Sequence, residues 1–318
     1  MIVLITGAAG FLGSHLVDRL LADGDRVIGI DNLTTGSREN LAHLEGNAGF
    51  SFVQADVSLS WTWKDRFESP HLIMHFASPA SPVAYGREPL ATMTVNAFGI
   101  VHAAELAAAT GARLIFASTS EAYGQPLEHP QRETYWGNVN PVGPRACYDE
   151  AKRFGEAYVA SASRKLGVDG RAVRIFNTYG PRMQPDDGRV VSNFCISALR
   201  GEPLTVYGDG TQTRSFCYVS DLVDGIVRFA KHARPGSTLL NLGNPAEITI
   251  SQLARIVADT ARVPLHIVER ALPPDDPERR RPDITLARAL LHWEPKVDLH
   301  QGLAATLDYF RTHLPVLV

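Results

Sequence analysis

A doubly wound, parallel α/β sheet with a second, smaller α/β lobe is the fold class this sequence predicts. Three observations carry it: short β-rich runs alternate with helical ones through the first half, a glycine-rich turn joins the first strand to the first helix, and the alternation breaks after residue 177. The strand runs are IVLIT (2–6), RVIGI (26–30), SFVQA (51–55), LIMHFA (72–77), RLIFAS (113–118) and RAVRIF (171–176). Helical spacing falls near 11–23, 91–110 and 148–166; in the first, Leu12, Leu16 and Leu20 form one apolar stripe. Right-handed crossovers between parallel strands make the sheet doubly wound. Residues 125–146, rich in Pro, Gly and Asn, are too long for an ordinary connection and read as a functional loop. A helix near 189–200, short strands and a second Pro- and charge-rich loop at 271–283 follow. The expected division is 1–176 plus about 215–245 for one lobe, and 177–214 plus about 246–318 for the other.

The bulk numbers set limits. A chain of 318 residues with 45% hydrophobic and 20% charged content buries an ordinary globular core. A net charge of −3 offers no basic field, so neither nucleic acid nor an anionic membrane surface is an expected partner. Cys147, Cys195 and Cys217 lack CxxC spacing, which points to a reducing compartment. The opening MIVLITGAAG runs straight into a glycine turn and reads as a first strand rather than a leader. No apolar run is read as approaching the roughly 20 residues that span a bilayer. A soluble, cytoplasmic protein is expected. His71 and His75 lack a third ligand, so no metal is expected.

TGAAGFLG places Gly7, Gly10 and Gly13 between a strand and an amphipathic helix. Glycines there permit a tight turn and close backbone approach to a pyrophosphate, while the helix start at Phe11 and Leu12 supplies N–H groups. Asp31 ends the second strand, where a carboxylate accepts from both adenosine ribose hydroxyls and repels a 2′-phosphate; this predicts NAD rather than NADP, in a Rossmann domain. Asn32 beside it, Asp56 and Val57 at the end of the third strand, and Ala77 at the end of the fourth complete the expected cofactor set.

In CYDEAKR, Tyr148 and Lys152 leave one face of a helix. Alone, they are a surface pair. Beside a nicotinamide, the ammonium is expected to lower the phenol's pKa towards working pH and make Tyr148 a proton acceptor. The glycine turn with a later Y-x-x-x-K resembles the extended short-chain dehydrogenase/reductase family. That resemblance implies that Lys152 also holds the nicotinamide ribose and that Thr119, in FASTSEAYG, supplies the catalytic hydroxyl.

The likeness extends over nearly the whole chain. STSEAYG, LEHPQRETYWGNVNPVGPRACYDEAKR, RIFNTYGPRMQPDDGRVVSNF, LTVYGDGTQTRSFCYVSDLV and RRPDITLARALLHWEPK resemble the UDP-glucuronate decarboxylase (UDP-xylose synthase) family. This implies oxidation at the sugar's C4, loss of carbon dioxide from the acid-bearing C5, and return to UDP-xylose with NAD regenerated. Glu121 is then an active-site carboxylate facing that of the substrate, Ser120 a hydrogen-bond partner of the departing carboxyl, and Arg280 its holder or a proton donor. In the smaller, substrate-binding lobe, Asn177 and Arg214 suit the anionic diphosphate, Arg189 is a further anion-binding candidate, Arg182 joins the substrate-binding set, and Tyr207 suits a stack on uracil. Taken singly, Tyr207 reads equally as a core aromatic and Glu278–Arg281 as a solvated charged run. Release of the 4-keto pentose with NADH, a UDP-sugar 4-epimerase and a non-catalytic NAD sensor are the alternatives. The family also implies a homodimer through the helices near 91–110 and 148–166.

Overall fold

β1 (Ile2–Thr6), β2 (Arg26–Asp31), β3 (Phe50–Gln54), β4 (Leu72–His75), β5 (Arg113–Thr119) and β6 (Gly170–Ile175) form where the β-rich runs lie, shifted by a residue or two at their ends. The computed structural model describes residues 1–62, 64–232, 239–272 and 279–313. Further along come β7 (Thr178–Tyr179), β8 (Leu204–Tyr207), β9 (Thr213–Ser215), β10 (Cys217–Tyr218) and β11 (Leu239–Leu242). β11 returns to complete a seven-stranded parallel sheet of order β11-β6-β5-β4-β1-β2-β3. Val3 of β1 pairs with Val27 on one side and Leu72 on the other. The order reverses at β1, and a crevice opens beyond the carboxyl ends of strands at such a switch point.

Helices cover both faces. α1 (Phe11–Ala22) sits with a later helix, α6 (Val219–Lys231), on one face, where Leu16, Val17 and Leu20 share a core with Leu222, Ile226 and Phe229. On the other lie α3 (Pro89–Thr110) and α4 (Ala146–Leu166), whose Ile100, Ala103, Ala104, Val159 and Ala162 pack beneath β4 and β5. Small alanines allow these two helices to lie close. At 22 residues, with an 18-residue stretch of mean hydropathy 1.2, α3 is long and apolar enough to cross a membrane by length and composition, contrary to the sequence reading. α2 (Pro82–Arg87) was not anticipated: Ser81 accepts from Ala84 N at 3.2 Å and Pro82 presets the first turn.

The second lobe has its own core. α5 (Val190–Arg200), α7 (Ile250–Ala261) and α9 (Leu299–His313) surround Phe194, Leu253, Val257, Leu303 and Phe310. β12 (Glu247–Thr249) pairs with β9, β13 (Ile267–Arg270) with β8, and β14 (Arg279–Arg280) with β9. One boundary needs correction. Residues 246–318 do not all belong here, because α8 (Thr285–Leu291) and Trp293 pack in the core of the first lobe. Gly225 of α6 leaves room for the indole, a Cβ there standing 2.9 Å from it, and Trp293 Nε1 donates to Asp221 O at 2.9 Å. An aromatic so buried contributes about 3–5 kcal/mol against truncation, which is why the chain returns.

Candidate active site

A cavity of about 940 Å³ follows the carboxyl ends of the strands between the lobes. Every cofactor, catalytic and substrate residue expected from sequence lines it. At one end, Gly7 adopts φ 75° and a Cβ on Gly13 would stand 1.9 Å from Gly7 O, so only glycine lets α1 approach the turn. α1 starts at Gly10 with no side-chain cap and no acid in its first turn, leaving N–H groups at Phe11 and Leu12 for an anion. Asp31, 7% exposed, accepts from Ala9 N at 3.0 Å and Leu33 N at 2.8 Å. Burial raises its pKa, and those N–H groups oppose the rise. Asp56 is more committed than expected: Ser58 N and Oγ occupy Oδ1, while Asn32 Nδ2 donates to Oδ2 at 3.3 Å. Val57 and Ala77 continue the wall. The clearance at Gly13 and the uncapped helix start fit NAD.

At the centre, α4 presents Tyr148 and Lys152 together. Lys152 Nζ donates to Ala117 O at 2.8 Å and lies 5.1 Å from the Phe116 ring centroid, and burial lowers its pKa to about 7. The expected lowering of Tyr148 is not found. Burial, then the charge of Glu121, pushes it up to about 12, with Thr119 and Arg189 pulling the other way. The reason is geometric: the ammonium sits 5.6 Å from the centre of the phenol ring and is spent on a carbonyl. Its surroundings thus favour the neutral phenol rather than a standing phenolate. Thr119 ends β5, its hydroxyl accepting from Glu121 N at 3.2 Å, and Ser120 beside it is 2% exposed.

Glu121 departs from expectation. It does not stand alone before a substrate carboxylate; Arg145 and Arg280 both bond it, the latter also through Nη2 to Oε2 at 3.4 Å. Burial alone would raise this carboxyl, but Arg280 and then Arg145 outweigh it and hold it at about 2. Sequence reasoning missed Arg145, whose only signal was a cation three residues before Tyr148. The loop at 125–146 earns its length by carrying it, together with Gln131. Fully buried, Gln131 donates from its N to Arg281 O at 2.9 Å, accepts from Arg281 N at 2.8 Å through Oε1, and accepts from Asp283 N at 2.8 Å. It thereby fixes the backbone just after Arg280, which lies 159 residues from Glu121. Glu278 of the charged run lies outside the described residues. Tyr85 of α2 was also missed; its ring stacks on Tyr148 at 5.1 Å and 10°.

Towards the second lobe, Arg214 is 8% exposed on β9 and Nη1 donates to Thr213 O at 2.9 Å. Tyr207 is exposed at the end of β8, not a core aromatic, and Asn177 lines the cavity between β6 and β7. Arg189 donates to Ala80 O at 2.9 Å across the opening. Arg182 is placed here too, but Asp18 of α1 pairs with it at 2.7 Å, so its charge is already matched. His71 Nδ1 accepts from Ile2 N at 3.0 Å, and His75 Nδ1 contacts Thr6 Oγ1 at 2.8 Å. Both are structural, and burial lowers His75 to about 3. Among the described residues, no group of three His, Cys, Asp or Glu is placed to hold a metal. The assembled groups can move a proton at a carbinol and bind an anion beside it.

Comparison with known proteins agrees with that chemistry. The profile of the NAD dependent epimerase/dehydratase family matches residues 3–243. UDP-glucuronic acid decarboxylase 2 of Arabidopsis thaliana is 52% identical over 97% of this chain and 68% of its own length. UDP-glucuronic acid decarboxylase 1 of Xenopus tropicalis is 48% identical over 98% and 72%. Among solved structures, Thermotoga maritima UDP-glucose 4-epimerase with UDP-glucose superposes with a TM-score of 0.89 at 32% identity, covering 99% of this chain and all of that one. The Bacillus cereus UDP-glucuronic acid 4-epimerase in complex with UDP-glucuronic acid and NAD gives 0.89 at 27% identity, covering 98% and 99%.

Proposed function

The chain belongs to the NAD dependent epimerase/dehydratase family, and on that premise we propose that it converts UDP-glucuronate to UDP-xylose and carbon dioxide with no net use of NAD. The observation that carries the reading is Glu121 held between Arg145 and Arg280 beside Tyr148, a proton-moving group joined to an anion site. When bound, NAD supplies reversible two-electron oxidation at the sugar's C4. Tyr148, its own proton having passed to solvent beforehand, takes the C4 hydroxyl proton as a phenolate while Thr119 steadies the oxygen. With C4 a ketone, the carboxylate is β to it; the C5–C6 bond breaks and its electron pair delocalises onto O4. There the Thr119 and Tyr148 hydroxyls stabilise the enolate more than the ground state. Arg145 and Arg280 orient the carboxylate, and Glu121 offsets part of their charge. Protonation at C5 and reduction at C4 complete the product.

Incubation with UDP-glucuronate and NAD, followed by product mass, tests this. Carbon dioxide without net NADH is expected. Stoichiometric NADH would select release of the 4-keto pentose, unchanged mass with inverted C4 an epimerase, and no product a sensor.

A homodimer through α3 and α4 accompanies this reading, supported by exposed Met93, Phe98 and Phe154 on those helices. Phe98→Glu is expected to yield a monomer in sedimentation; an unchanged mass would refute that interface. The free Cys147, Cys195 and Cys217 support a cytoplasmic setting, which recovery in a membrane fraction would overturn.

A further inference from the structure

Glu121 and Arg280 meet from opposite sides of the cavity. Glu121 stands in the short turn after β5 (Ser120–Tyr123), in the first lobe, while Arg280 lies on β14, which pairs with β9 of the second. An arginine side chain is long and rotamer-rich, so it can keep an ion pair over a range of backbone positions. The pair therefore does not by itself hold one carrier segment against the other.

Behind the cavity wall, one side chain touches both carriers. Asn241 of β11 is fully buried. Its Oδ1 accepts from the hydroxyl of Tyr123, at the end of the Glu121 turn, at 2.8 Å. Its Nδ2 donates to Gln131 O at 3.0 Å and to Asp283 O, just beyond Arg280, at 3.2 Å. Carbonyl oxygens only accept, so the amide must turn its nitrogen to them and its oxygen to Tyr123. Both ends are braced in turn. Gln131 clamps Arg281, and the Tyr123 ring lies 4.4 Å beneath the Arg174 guanidinium, which pairs with Glu156 at 2.7 Å. Arg132 O, 3.0 Å from the Tyr123 hydroxyl, is that proton's second acceptor. A buried amide with all its hydrogen bonds made sets geometry sharply.

Building on the decarboxylase reading, we propose that Asn241, acting with Tyr123, is a positioning residue for carbon dioxide release: its amide holds the Glu121 turn and the Arg280 segment in register. Neither Asn241 nor Tyr123 lines the cavity, so they act only through the pair they align. The effect is confined to the acid-bearing end of the sugar. Thr119 is fixed by the pairing of β5 with β6, and Lys152 on α4 by Ala117 O, contacts the amide does not share.

Tyr123→Phe removes one hydroxyl and keeps the ring beneath Arg174. In a single turnover, reduced cofactor is expected to appear within about twofold of the wild-type rate, while carbon dioxide release slows roughly 10-fold with KM for UDP-glucuronate unchanged. Asn241→Leu is expected to show the same split; should it not fold, Tyr123→Phe carries the test. In a Glu121→Gln background, Tyr123→Phe should slow release by less than about twofold further, because the contact it aligns is already altered. Equal slowing of both steps, unaffected release, or full additivity with Glu121→Gln would overturn the proposal. A crystal structure of Tyr123→Phe gives a readout without turnover: Arg280 shifted by roughly 1 Å against Glu121, with Arg145 still paired to it. An unshifted pair would also overturn the proposal. A wild-type enzyme that releases no carbon dioxide would instead overturn the decarboxylase reading, and the crystallographic comparison would still decide whether the amide sets the pair.

Discussion

Replacing Tyr148 with phenylalanine is expected to reduce turnover of UDP-glucuronate by roughly 10³-fold, the scale of a lost general acid–base group, while NAD remains bound. The argument rests on what the substitution leaves alone. The ring stays stacked on Tyr85 and buried within α4, so packing survives. Lys152 is anchored by Ala117 O and the Phe116 face, neither of which needs the phenol hydroxyl. Only the atom that exchanges a proton with O4 is removed. A phenol raised to about 12 has no standing negative charge for the cofactor to lean on, so cofactor affinity, read by equilibrium dialysis, should change little. Turnover near that of wild type would exclude Tyr148 as the proton acceptor.

Glu121→Gln is expected to lower kcat for carbon dioxide release by roughly 10²-fold, with KM for UDP-glucuronate unchanged or lower. A neutral amide cannot hold two guanidiniums as a carboxylate does, so Arg145 and Arg280 turn their charge to the substrate acid. That tightens the ground state. The carboxylate is losing its charge as the C–C bond breaks, and excess positive charge there favours the reactant over the transition state. Formation of reduced cofactor in a single turnover should suffer much less, because O4 faces Thr119 and Tyr148. Equal losses in both halves would demote Glu121 to a general brace, and a raised KM with kcat retained would assign it to binding alone.

What could be read in the chain was local. Gly7, Gly10 and Gly13 sit within one turn, and Tyr148 and Lys152 within one helix face, so spacing alone sets their geometry. The strands were legible because buried parallel strands are uninterrupted apolar runs such as Ile2–Thr6. Resemblance placed Glu121 and Arg280 in one site, but not against each other. Their contact spans 159 residues and depends on Gln131 gripping the segment beyond β14. Tyr85 was silent for the same reason: a tyrosine in a short helix acquires meaning only when α2 brings its ring onto Tyr148 of α4. The phenol's pKa was misjudged because adjacency along a helix says that two groups share a face, not where the charged atom points.

Trp293 and α8 settle in the nucleotide lobe although α7 comes before them and α9 after them in the other. The backbone is therefore laced through both halves, and neither is a severable piece. Ending the chain before Ile284 would strip a plug from beneath α6 as well as the final helix, so melting should proceed as one event in which the sugar-binding half cannot outlive its companion.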